Sequence, residues 1–445
     1  MARPNIILMV ADDHGIEALG CYGNPVIKTP NLDQLAAEGV KFNNAFCTTA
    51  SCAASRSVIL TGLQNHTNGT YGHAHKHHHF SCLEGVKTLP AYLNEAGYRT
   101  GCVGKKHYAP LSQFPLTDDI GDFRSRDDCM FVEKCRDFIS QEGEPFFLYW
   151  GSHNPHRAGV VEDHPLKPNS FGNRDHYENE VIYAEDEVVV PPFLNDTPEV
   201  RAELAQYYRS ISRLDRGIGH LVEILKETGK YDNTVLIYIS DNGAAFPEAK
   251  TTLYEPGMNL PCIVRSPLHE KHGGTCNGLV TWADITPTVL DFAGANVPEE
   301  AFQGRSFKRI IDQEEPEDWQ EEIFASHTFH EITTYYPMRV IRTRKYKFIY
   351  NIAHPLTYPS ASDLWKSCSW QGLLRDGSNM FGARTVEAYL HRPKFELYDL
   401  ENDPNEIENL AAKPEYKEMV DGFCEKLKKF QKETKDPWLH KWIYE

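Results

Sequence analysis

The chain has 445 residues, which is more than a single hydrophobic core usually supports, so we expect a large domain with a smaller one attached. Hydrophobic residues make up 41% of the sequence and charged residues 24%, as in ordinary soluble globular proteins. The formal net charge of −17 excludes nonspecific binding to nucleic acid or another polyanion. An anionic ligand must therefore be small, or a chain end, and needs a local basic pocket.

The first predicted element is a buried strand, Asn5–Val10, which runs directly into Asp12 and Asp13. Its apolar run is too short to cross a membrane and lacks a signal-peptide cleavage region. We therefore expect a cytoplasmic protein with no membrane partner. The 11 cysteines are scattered without a CxxC pair or zinc-finger spacing, which indicates reduced thiols rather than a disulfide framework.

A helix is predicted between Ser51 and Gly62, because serine is a good N-cap and glycine favours the C-terminal end. Cys52 then lies in the first turn, where free N–H groups favour negative charge. Arg56 follows one turn later on the same face. Both features should lower the pKa of the thiol and favour binding of a tetrahedral anion. The alternative interpretation is that Cys52 is simply a small buried residue.

The tract His73–His79 contains five histidines and Lys76. Histidine-rich tracts can bind zinc or copper. The acidic residues elsewhere in the chain indicate a hard cation instead. We therefore favour a polar loop beside an active-site cleft.

Apolar strands alternate with amphipathic helices over the first three hundred residues, a pattern typical of an α/β domain with a mainly parallel sheet. The predicted strands are Asn5–Val10, Arg99–Val103, Pro145–Trp150, Thr234–Ser240 and Pro261–Arg265. The other predicted helices are Leu32–Glu38, Leu89–Ala96, Phe131–Gln141, Val200–Thr228 and Ile285–Phe292. We assign this domain to residues 1–315.

Chemically active side chains follow four of these strands. In chain order they are Asp12 and Asp13; Lys105 and His107; His153, His156 and Arg157; and Asp241 and Asn242, with Lys250 shortly after. Ligands of open α/β sheets bind beyond the carboxyl ends of the strands, so we expect these side chains to converge.

Asp12, Asp13, Asp241 and the amide oxygen of Asn242 offer oxygen ligands only, which suits Ca²⁺, with Mg²⁺ as the alternative. Without a cation, converging carboxylates repel one another and their pKa values rise. Taken singly, each acidic pair could instead cap or form a tight turn.

Lys105, His107, His156 and Lys250 could neutralise an anionic group and move protons. Taken singly, such a lysine is more often solvated, and such a histidine is more often a hydrogen-bonded structural residue. Their positions after separate strands favour a shared site.

A second domain, residues 316–445, is predicted after the Pro- and Glu-rich stretch Asp312–Glu317. We expect a smaller α+β domain with an antiparallel sheet, on which the helix Glu415–Lys432 packs through its apolar stripe. Its predicted strands are Ile323–Ser326, Met338–Thr343, Tyr346–Tyr350 and Phe395–Leu400.

Two parts of this second domain are candidates for binding substrate. The segment His354–Val386 is long and irregular, which is typical of a functional loop. His330, Glu331 and Arg339 are candidate substrate contacts. The equally weighted alternative is that these three residues hold the domains together.

The stretch at Cys52 resembles the signature of type I sulfatases, Cys-x-Pro/Ala-Ser-Arg followed by Leu-Thr-Gly. This chain fills it with Cys52, Ala54, Ser55, Arg56, Leu60, Thr61 and Gly62. The resemblance implies an alkaline-phosphatase-like fold and a formylglycine made from Cys52 by a maturation enzyme. Most members carry proline where this chain has Ala54, which bears on the choice of maturation enzyme.

Other segments follow in the family's order, including Gly104-Lys105-Lys106-His107 and Asp241-Asn242-Gly243. By this resemblance the ligands of Ca²⁺ are Asp12, Asp13, Asp241, Asn242 and the modified Cys52. Arg56 and Lys105 would stabilise the formylglycine hydrate, and His107 would take a proton when the covalent sulfate ester breaks down. His156 and Lys250 would hold the sulfate and assist the leaving atom. This is covalent catalysis with a built-in release step.

A narrower resemblance, to the heparan N-sulfatase branch of the family, covers nearly the whole chain. It is carried by segments such as Pro145-Phe146-Phe147-Leu148-Tyr149, His153-Asn154-Pro155-His156-Arg157, Tyr336-Pro337-Met338-Arg339 and Asp436-Pro437-Trp438. His153 and Arg157 become candidate substrate contacts. Lys250 replaces an arginine of that branch, which keeps the charge but loses the bidentate fork.

This branch implies hydrolysis of the N-sulfate of glucosamine at the non-reducing end of a small heparan-type saccharide, by a homodimer. One alternative is an O-sulfatase that acts on another sugar or on an aryl sulfate. Another is a phosphonate or phosphate ester hydrolase of the same superfamily. An unmodified Cys52 would instead leave a metal-stabilised binding protein without turnover.

Overall fold

A computed structural model describes residues 3–123, 125–174 and 180–444. Its strands are β1 Asn5–Ala11, β2 Val40–Phe42, β3 Ala45–Phe46, β4 Arg99–Gly104, β5 Asp118–Gly121, β6 Phe146–Gly151, β7 Thr234–Ser240, β8 Cys262–Arg265, β9 Gly274–Cys276, β10 Val280–Thr281, β11 Glu322–His327, β12 Met338–Thr343, β13 Tyr346–Asn351, β14 Met380–Phe381, β15 Arg384–Thr385 and β16 Phe395–Asp399.

Most of the α-helices have ten residues or fewer, and the two longer ones are α7, with 30 residues, and α13, with 17. They are α1 Pro30–Glu38, α2 Cys52–Thr61, α3 Asn65–Asn68, α4 Leu89–Glu95, α5 Asp128–Glu133, α6 Arg136–Ser140, α7 Pro198–Glu227, α8 Glu255–Met258, α9 Ile285–Ala293, α10 Ser362–Trp365, α11 Cys368–Arg375, α12 Val386–Leu390, α13 Lys417–Glu433 and α14 Lys441–Tyr444. None of these helices is long and apolar enough to cross a membrane.

The large sheet has the strand order β5-β4-β6-β1-β7-β8-β2-β9. Strand β1 pairs in parallel with both β6 and β7, and every residue of β1 is buried. Strand β8 runs antiparallel to its neighbours β7 and β2. A strand buried on both faces requires a nearly continuous apolar sequence, as Asn5–Ala11 has. The predicted mainly parallel sheet is confirmed.

Helices cover both faces of this sheet. On one face, α7 packs its apolar side chains Leu214, Ile218 and Leu221 into the core formed with β1. Thr197 caps α7 by accepting a hydrogen bond from the Val200 amide. The single helix predicted over Phe131–Gln141 is wrong: the chain forms α5 and α6 with a tight turn between them, and both helices contribute side chains to this same core.

The C-terminal part contains a four-stranded antiparallel sheet, in the order β11-β12-β13-β16. Helix α13 packs Phe423 and Leu427 against one face of it, as predicted. The opposite face contributes Val340 and Ile349 to a core shared with the first part of the chain. The C-terminal sheet therefore packs against the first part of the chain through this shared core. The boundary at residues 315 and 316 stays a prediction.

Candidate active site

The acidic residues meet because their strands are neighbours. Asp12 and Asp13 follow β1, and Asp241 and Asn242 follow the adjacent parallel strand β7. The Asp13 amide donates to Asp241 Oδ1 at 3.1 Å, and the Asn242 side-chain amide donates to Asp13 Oδ1 at 2.7 Å. Asp13 has a φ of 70°, in the left-handed region that aspartate tolerates better than most residues. This turn directs its carboxylate toward the partners from β7.

Cys52 joins this group from the first turn of α2. Its Sγ lies 3.8 Å from Asp13 Oδ1. Each of Asp12, Asp13, Cys52 and Asp241 offers one ligand atom, and these atoms all lie within 4.8 Å of one another. We call these four residues and Asn242 the carboxylate cluster. Three carboxylates and an amide oxygen suit a hard cation such as Ca²⁺ or Mg²⁺.

The N-terminus of α2 differs from the prediction in one contact. Ser51 occupies the N-cap position, but its side chain does not bond to the helix backbone. Its Oγ lies 2.9 Å from His330 Nδ1 instead. The capping residue thus ties the start of α2 to the C-terminal part of the chain.

The expected activation of the thiol is wrong. Burial raises the pKa of the Cys52 thiol well above its ordinary value. Lys105 and Lys250 act in the opposite direction but do not offset burial, and Asp13 raises the pKa further. The helix terminus and Arg56 were the features visible in the sequence, whereas desolvation and the neighbouring carboxylates depend on the fold. The thiol is therefore a poor nucleophile in this setting.

Arg56 is fully buried and faces the carboxylates rather than the solvent. Its Nε donates to Asp241 Oδ2 at 2.8 Å, and one terminal nitrogen donates to the Tyr149 hydroxyl at 2.8 Å. Its other terminal nitrogen lies 3.8 Å from Asp12 Oδ1. Arg56 thus orients carboxylates from both β1 and β7.

Two lysines pair with the carboxylates from opposite sides. Lys105 Nζ donates to Asp12 Oδ2 at 2.6 Å. Lys250, which is fully buried, donates to Asp13 Oδ2 at 2.9 Å and to Asp363 Oδ2 at 2.8 Å. Burial alone would lower the pKa of both ammonium groups, but the paired carboxylates outweigh it and raise them above their ordinary values. Both lysines therefore carry a full charge at neutral pH.

The carboxylates respond unequally to their surroundings. Burial raises the pKa of Asp241 to about 7, with Arg56 opposing the rise and Asp12 adding to it. Burial also acts to raise the pKa of Asp12, but Lys105, followed by His156 and Arg56, holds it well below the usual range. The expected rise in pKa thus occurs at Asp241 and not at Asp12, because Lys105 is hydrogen-bonded to Asp12.

The two predicted catalytic histidines lie beside this cluster. Burial and Lys250 lower the pKa of His156 to about 4, so its ring is neutral at pH 7. Its Nδ1 donates to the Arg157 carbonyl at 2.7 Å, which leaves Nε2 as the unprotonated nitrogen, 3.8 Å from Asp13 Oδ2. Burial and Lys105 keep the pKa of His107 well below its ordinary value.

A cleft of about 740 Å³ opens over these groups, within the size range of small-molecule sites. Its lining includes five lysine or arginine side chains and eight histidines, against four carboxylates. The cleft is thus basic in a chain whose net charge is −17, as an anionic ligand requires. The tract His73–His79 contributes to its rim, as the favoured interpretation expects.

Four of the five candidate substrate contacts line this cleft: His153, Arg157, His330 and Glu331. His153 Nε2 lies 2.6 Å from Asp122 Oδ1. Arg157 donates two hydrogen bonds to Glu203, at 2.6 and 2.8 Å. Glu331 accepts from the Ser362 amide at 3.3 Å. His153 and Glu331 thus line the cleft with polar groups that are hydrogen-bonded to Asp122 and Ser362, and the guanidinium of Arg157 is occupied by Glu203.

The fifth candidate, Arg339, lies away from the cleft. It is 1% exposed and donates to Asp436 at 2.6 and 2.9 Å. Its contacts are those of a residue that fastens β12 to the C-terminal segment.

We expect Arg339→Met to lower the free energy of unfolding by about 3–5 kcal/mol, because it leaves Asp436 as an unpaired buried charge. Denaturant unfolding measures this loss. Arg344→Met, which removes a partly exposed ion-paired arginine, should cost within about 1 kcal/mol. A raised KM for a sulfated substrate with unchanged stability would instead identify Arg339 as a substrate contact.

Sequence reasoning missed three side chains that complete the site. They are Asp363, which pairs with Lys250; Tyr149, which accepts from Arg56; and Glu203, which binds Arg157. Asp363 lies within the segment His354–Val386 singled out as functional, but no motif marks it. Tyr149 lies on β6, where every residue is buried, so the sequence does not distinguish it from the core residues around it.

The fold and this cluster define a class of hydrolase. Residues 4–295 match the family model described as Sulfatase, and residues 248–360 match the one described as N-sulphoglucosamine sulphohydrolase, C-terminal. The chain belongs to the sulfatase family and has its alkaline-phosphatase-like fold.

Among characterised proteins, N-sulphoglucosamine sulphohydrolase from Homo sapiens is 35% identical over 98% of this chain and 92% of its own length. A protein solved in complex with its substrate D-glucosamine-2-N,6-O-disulfate superposes with a TM-score of 0.70 at 22% identity, covering 98% of this chain and 99% of that chain. The phosphonate monoester hydrolase of Agrobacterium radiobacter gives 0.73 at 18% identity, covering 97% and 96%. The two structural matches concern the fold alone.

Proposed function

We propose that this sulfatase hydrolyses the N-sulfate of glucosamine at the non-reducing end of small heparan-type saccharides. The observation that carries the proposal is the carboxylate cluster with Cys52 in it and with Lys105 and Lys250 paired to its acids, beside a basic cleft. The preference for an N-sulfate is supported by the 35% identity to the human N-sulphoglucosamine sulphohydrolase over 98% of the chain.

Asp12, Asp13, Asp241 and Asn242 would hold Ca²⁺, or Mg²⁺ in its place. The donor set fits, because Asp12 Oδ1 and Asn242 Oδ1 are buried without a hydrogen-bond partner among the described residues. Such oxygens are costly to leave unsatisfied. When bound, the cation supplies positive charge that balances the carboxylates and polarises the oxygens of a sulfate group.

Cys52 is proposed to be the precursor of formylglycine rather than a thiol nucleophile. The high pKa of its buried thiol supports this, because a protonated thiol attacks poorly. When formed, the modified residue supplies, as its hydrate, an oxygen nucleophile at the first turn of α2. Arg56 contributes by fixing Asp241 and so the position of the carboxylates around that residue.

Lys105 and Lys250 would bind the sulfate oxygens. Both are charged, both lie in a site with little water, and each already holds a carboxylate oxygen at 2.6 to 2.9 Å. Fixed charges in such a site stabilise developing negative charge far more than they do in water. The leaving nitrogen of an N-sulfate needs a proton, and Lys250 is the charged donor nearest to Asp13 and His156.

The two histidines would move protons. His107, whose Nδ1 is buried without a hydrogen-bond partner among the described residues, would take a proton through a ring nitrogen. His156 Nε2 faces Asp13 and becomes a donor only when it is protonated. A bound sulfate group favours this protonation, because its negative charge raises the pKa of the ring. His156 then holds a sulfate oxygen through Nε2 while Nδ1 stays on the Arg157 carbonyl.

The test is the release of sulfate from N-sulfoglucosamine, compared with glucosamine 6-O-sulfate, an aryl sulfate and a phosphonate monoester. We expect the highest kcat/KM for the N-sulfate. Release from the O-sulfate or aryl sulfate alone would remove the N-sulfate preference and leave the family activity intact.

Mass spectrometry of the peptide that contains Cys52, from protein made in its native host, tests the modification separately. We expect conversion to formylglycine. An unmodified thiol in that protein would contradict the proposed chemistry and favour a binding protein without turnover.

A further inference from the structure

A second cluster of metal-ligating side chains lies beside the first and has a different chemistry. His73 and His75 come from the loop His73–His79, and His107 follows β4. Each offers one ring nitrogen, and the three nitrogens lie within 4.8 Å of one another. We call these three residues the imidazole cluster. It contains no carboxylate, in contrast to the carboxylate cluster.

The three rings are packed against one another. The ring of His73 lies 4.8 Å from that of His75 and 5.0 Å from that of His107, and the rings of His75 and His107 are 4.7 Å apart. His75 Nδ1 and His107 Nε2 are 2.7 Å apart and share a hydrogen bond. Within residues 3–123, 125–174 and 180–444, none of the three forms an ion pair with a carboxylate.

Two of these rings have unused polar atoms. Nδ1 of His73 and Nδ1 of His107 are buried and have no hydrogen-bond partner among the described residues. His73 as a whole is 8% exposed, so water does not readily satisfy it. Buried polar atoms without a partner call for an explanation, and a role in binding a ligand is one.

We propose that His73, His75 and His107 bind a divalent transition cation such as Zn²⁺, at a site separate from the carboxylate cluster. Imidazole nitrogen suits Zn²⁺ and Cu²⁺ and is a poor ligand for Ca²⁺ and Mg²⁺, which prefer oxygen. Two cations of different hardness can therefore occupy neighbouring sites in one cleft without exchanging places.

The geometry needs only small ring movements. Zinc binds imidazole nitrogen at about 2.0–2.1 Å, so two such nitrogens on one tetrahedral ion lie roughly 3.4 Å apart. The pair His75 and His107 is already closer than this, and the third nitrogen is within 4.8 Å. His75 is exposed and lies on a loop, so it can turn toward the ion. Three protein ligands would leave a fourth coordination position for water or an anion.

Occupation of this site engages His107. If His107 accepts a proton during turnover, as the proposed function requires, then bound Zn²⁺ inhibits sulfate release. This inhibition rests on the proposed function. Binding itself does not depend on that function, because it follows from the three rings alone.

The test is titration of the Ca²⁺-saturated protein with Zn²⁺ alone, measured by competition with a chromophoric chelator. We expect one Zn²⁺ per chain, with affinity lowered at least about tenfold in His75→Gln and in His73→Gln. His77→Gln is the matched control, because His77 is an exposed histidine of the same loop outside the imidazole cluster. Its affinity should equal that of the unaltered protein. Circular dichroism confirms that each variant is folded.

Substitution of Co²⁺ for Zn²⁺ identifies the ligands without any assay of activity. We expect d–d absorption bands of a nitrogen-bound ion and no thiolate-to-metal charge-transfer band. A thiolate band, or equal Zn²⁺ affinity in His75→Gln and the unaltered protein, would overturn the imidazole site; the thiolate band would further assign the ion to a cysteine, such as an unmodified Cys52.

The assay of sulfate release separates the two proposals. Zn²⁺ should inhibit the unaltered protein and His77→Gln, and inhibit His75→Gln at least about tenfold less strongly. Zn²⁺ binding to the imidazole cluster without inhibition would overturn the proton-accepting role of His107 and leave the metal site standing.

Discussion

Cys52→Ala is expected to lower the rate of sulfate release by at least about 10³-fold, because it removes the proposed precursor of the covalent nucleophile and leaves only binding and charge stabilisation. Alanine is a good helix former and suits the first turn of α2, so the fold should persist. The measurement is kcat with N-sulfoglucosamine at saturating concentration, together with thermal unfolding to confirm the native state.

Cys47→Ala is the matched control for this substitution. Cys47 is another fully buried cysteine, five residues earlier, whose thiol donates a hydrogen bond to the Gly257 carbonyl and is not one of the grouped ligand atoms. We expect it to retain most of the activity. Equal losses in the two variants, or substantial turnover by Cys52→Ala, would contradict a nucleophile derived from Cys52.

Lys250→Met should reduce both activity and stability. Removal of a fixed charge that faces the sulfate typically costs about 10²–10³ in kcat. Removal of one partner of a buried ion pair also costs about 3–5 kcal/mol in the free energy of unfolding, because Asp13 and Asp363 then lose their common cation. The measurements are kcat per folded molecule and denaturant unfolding.

Lys347→Met separates the two effects. Lys347 is also fully buried and pairs with two carboxylates, Glu255 at 2.8 Å and Glu406 at 2.9 Å, but neither of them belongs to the carboxylate cluster. It should lose a similar amount of stability while each folded molecule keeps its kcat. An unchanged kcat in Lys250→Met would show that Lys250 has a structural role only.

The backbone arrangement of this site could be predicted from the sequence, because the residues that determine it are close to one another along the chain. Each strand of the large sheet is a short apolar run, and the polar residues that follow it are adjacent in sequence. Since parallel strands end at one edge of the sheet, Asp12 and Asp241 had to meet once β1 and β7 were neighbours. Both the cluster and its oxygen-rich character follow from this rule.

The partners of buried charges could not be predicted in the same way. Arg157 and Arg339 were candidate substrate contacts, and their carboxylate partners, Glu203 and Asp436, lie on elements far along the chain. The same holds for Lys250 and Asp363. The sequence does not show how exposed a side chain is to solvent in the folded protein. For this reason the pKa of Cys52 was expected to shift in the wrong direction.

The complete burial of Cys52 has a consequence for the order of events during biosynthesis. An enzyme that oxidises this side chain cannot reach it in the folded protein, where α2 and the ends of β1 and β7 enclose it. If Cys52 is modified as proposed, the reaction therefore has to precede complete folding, or it needs a local opening of the structure around α2.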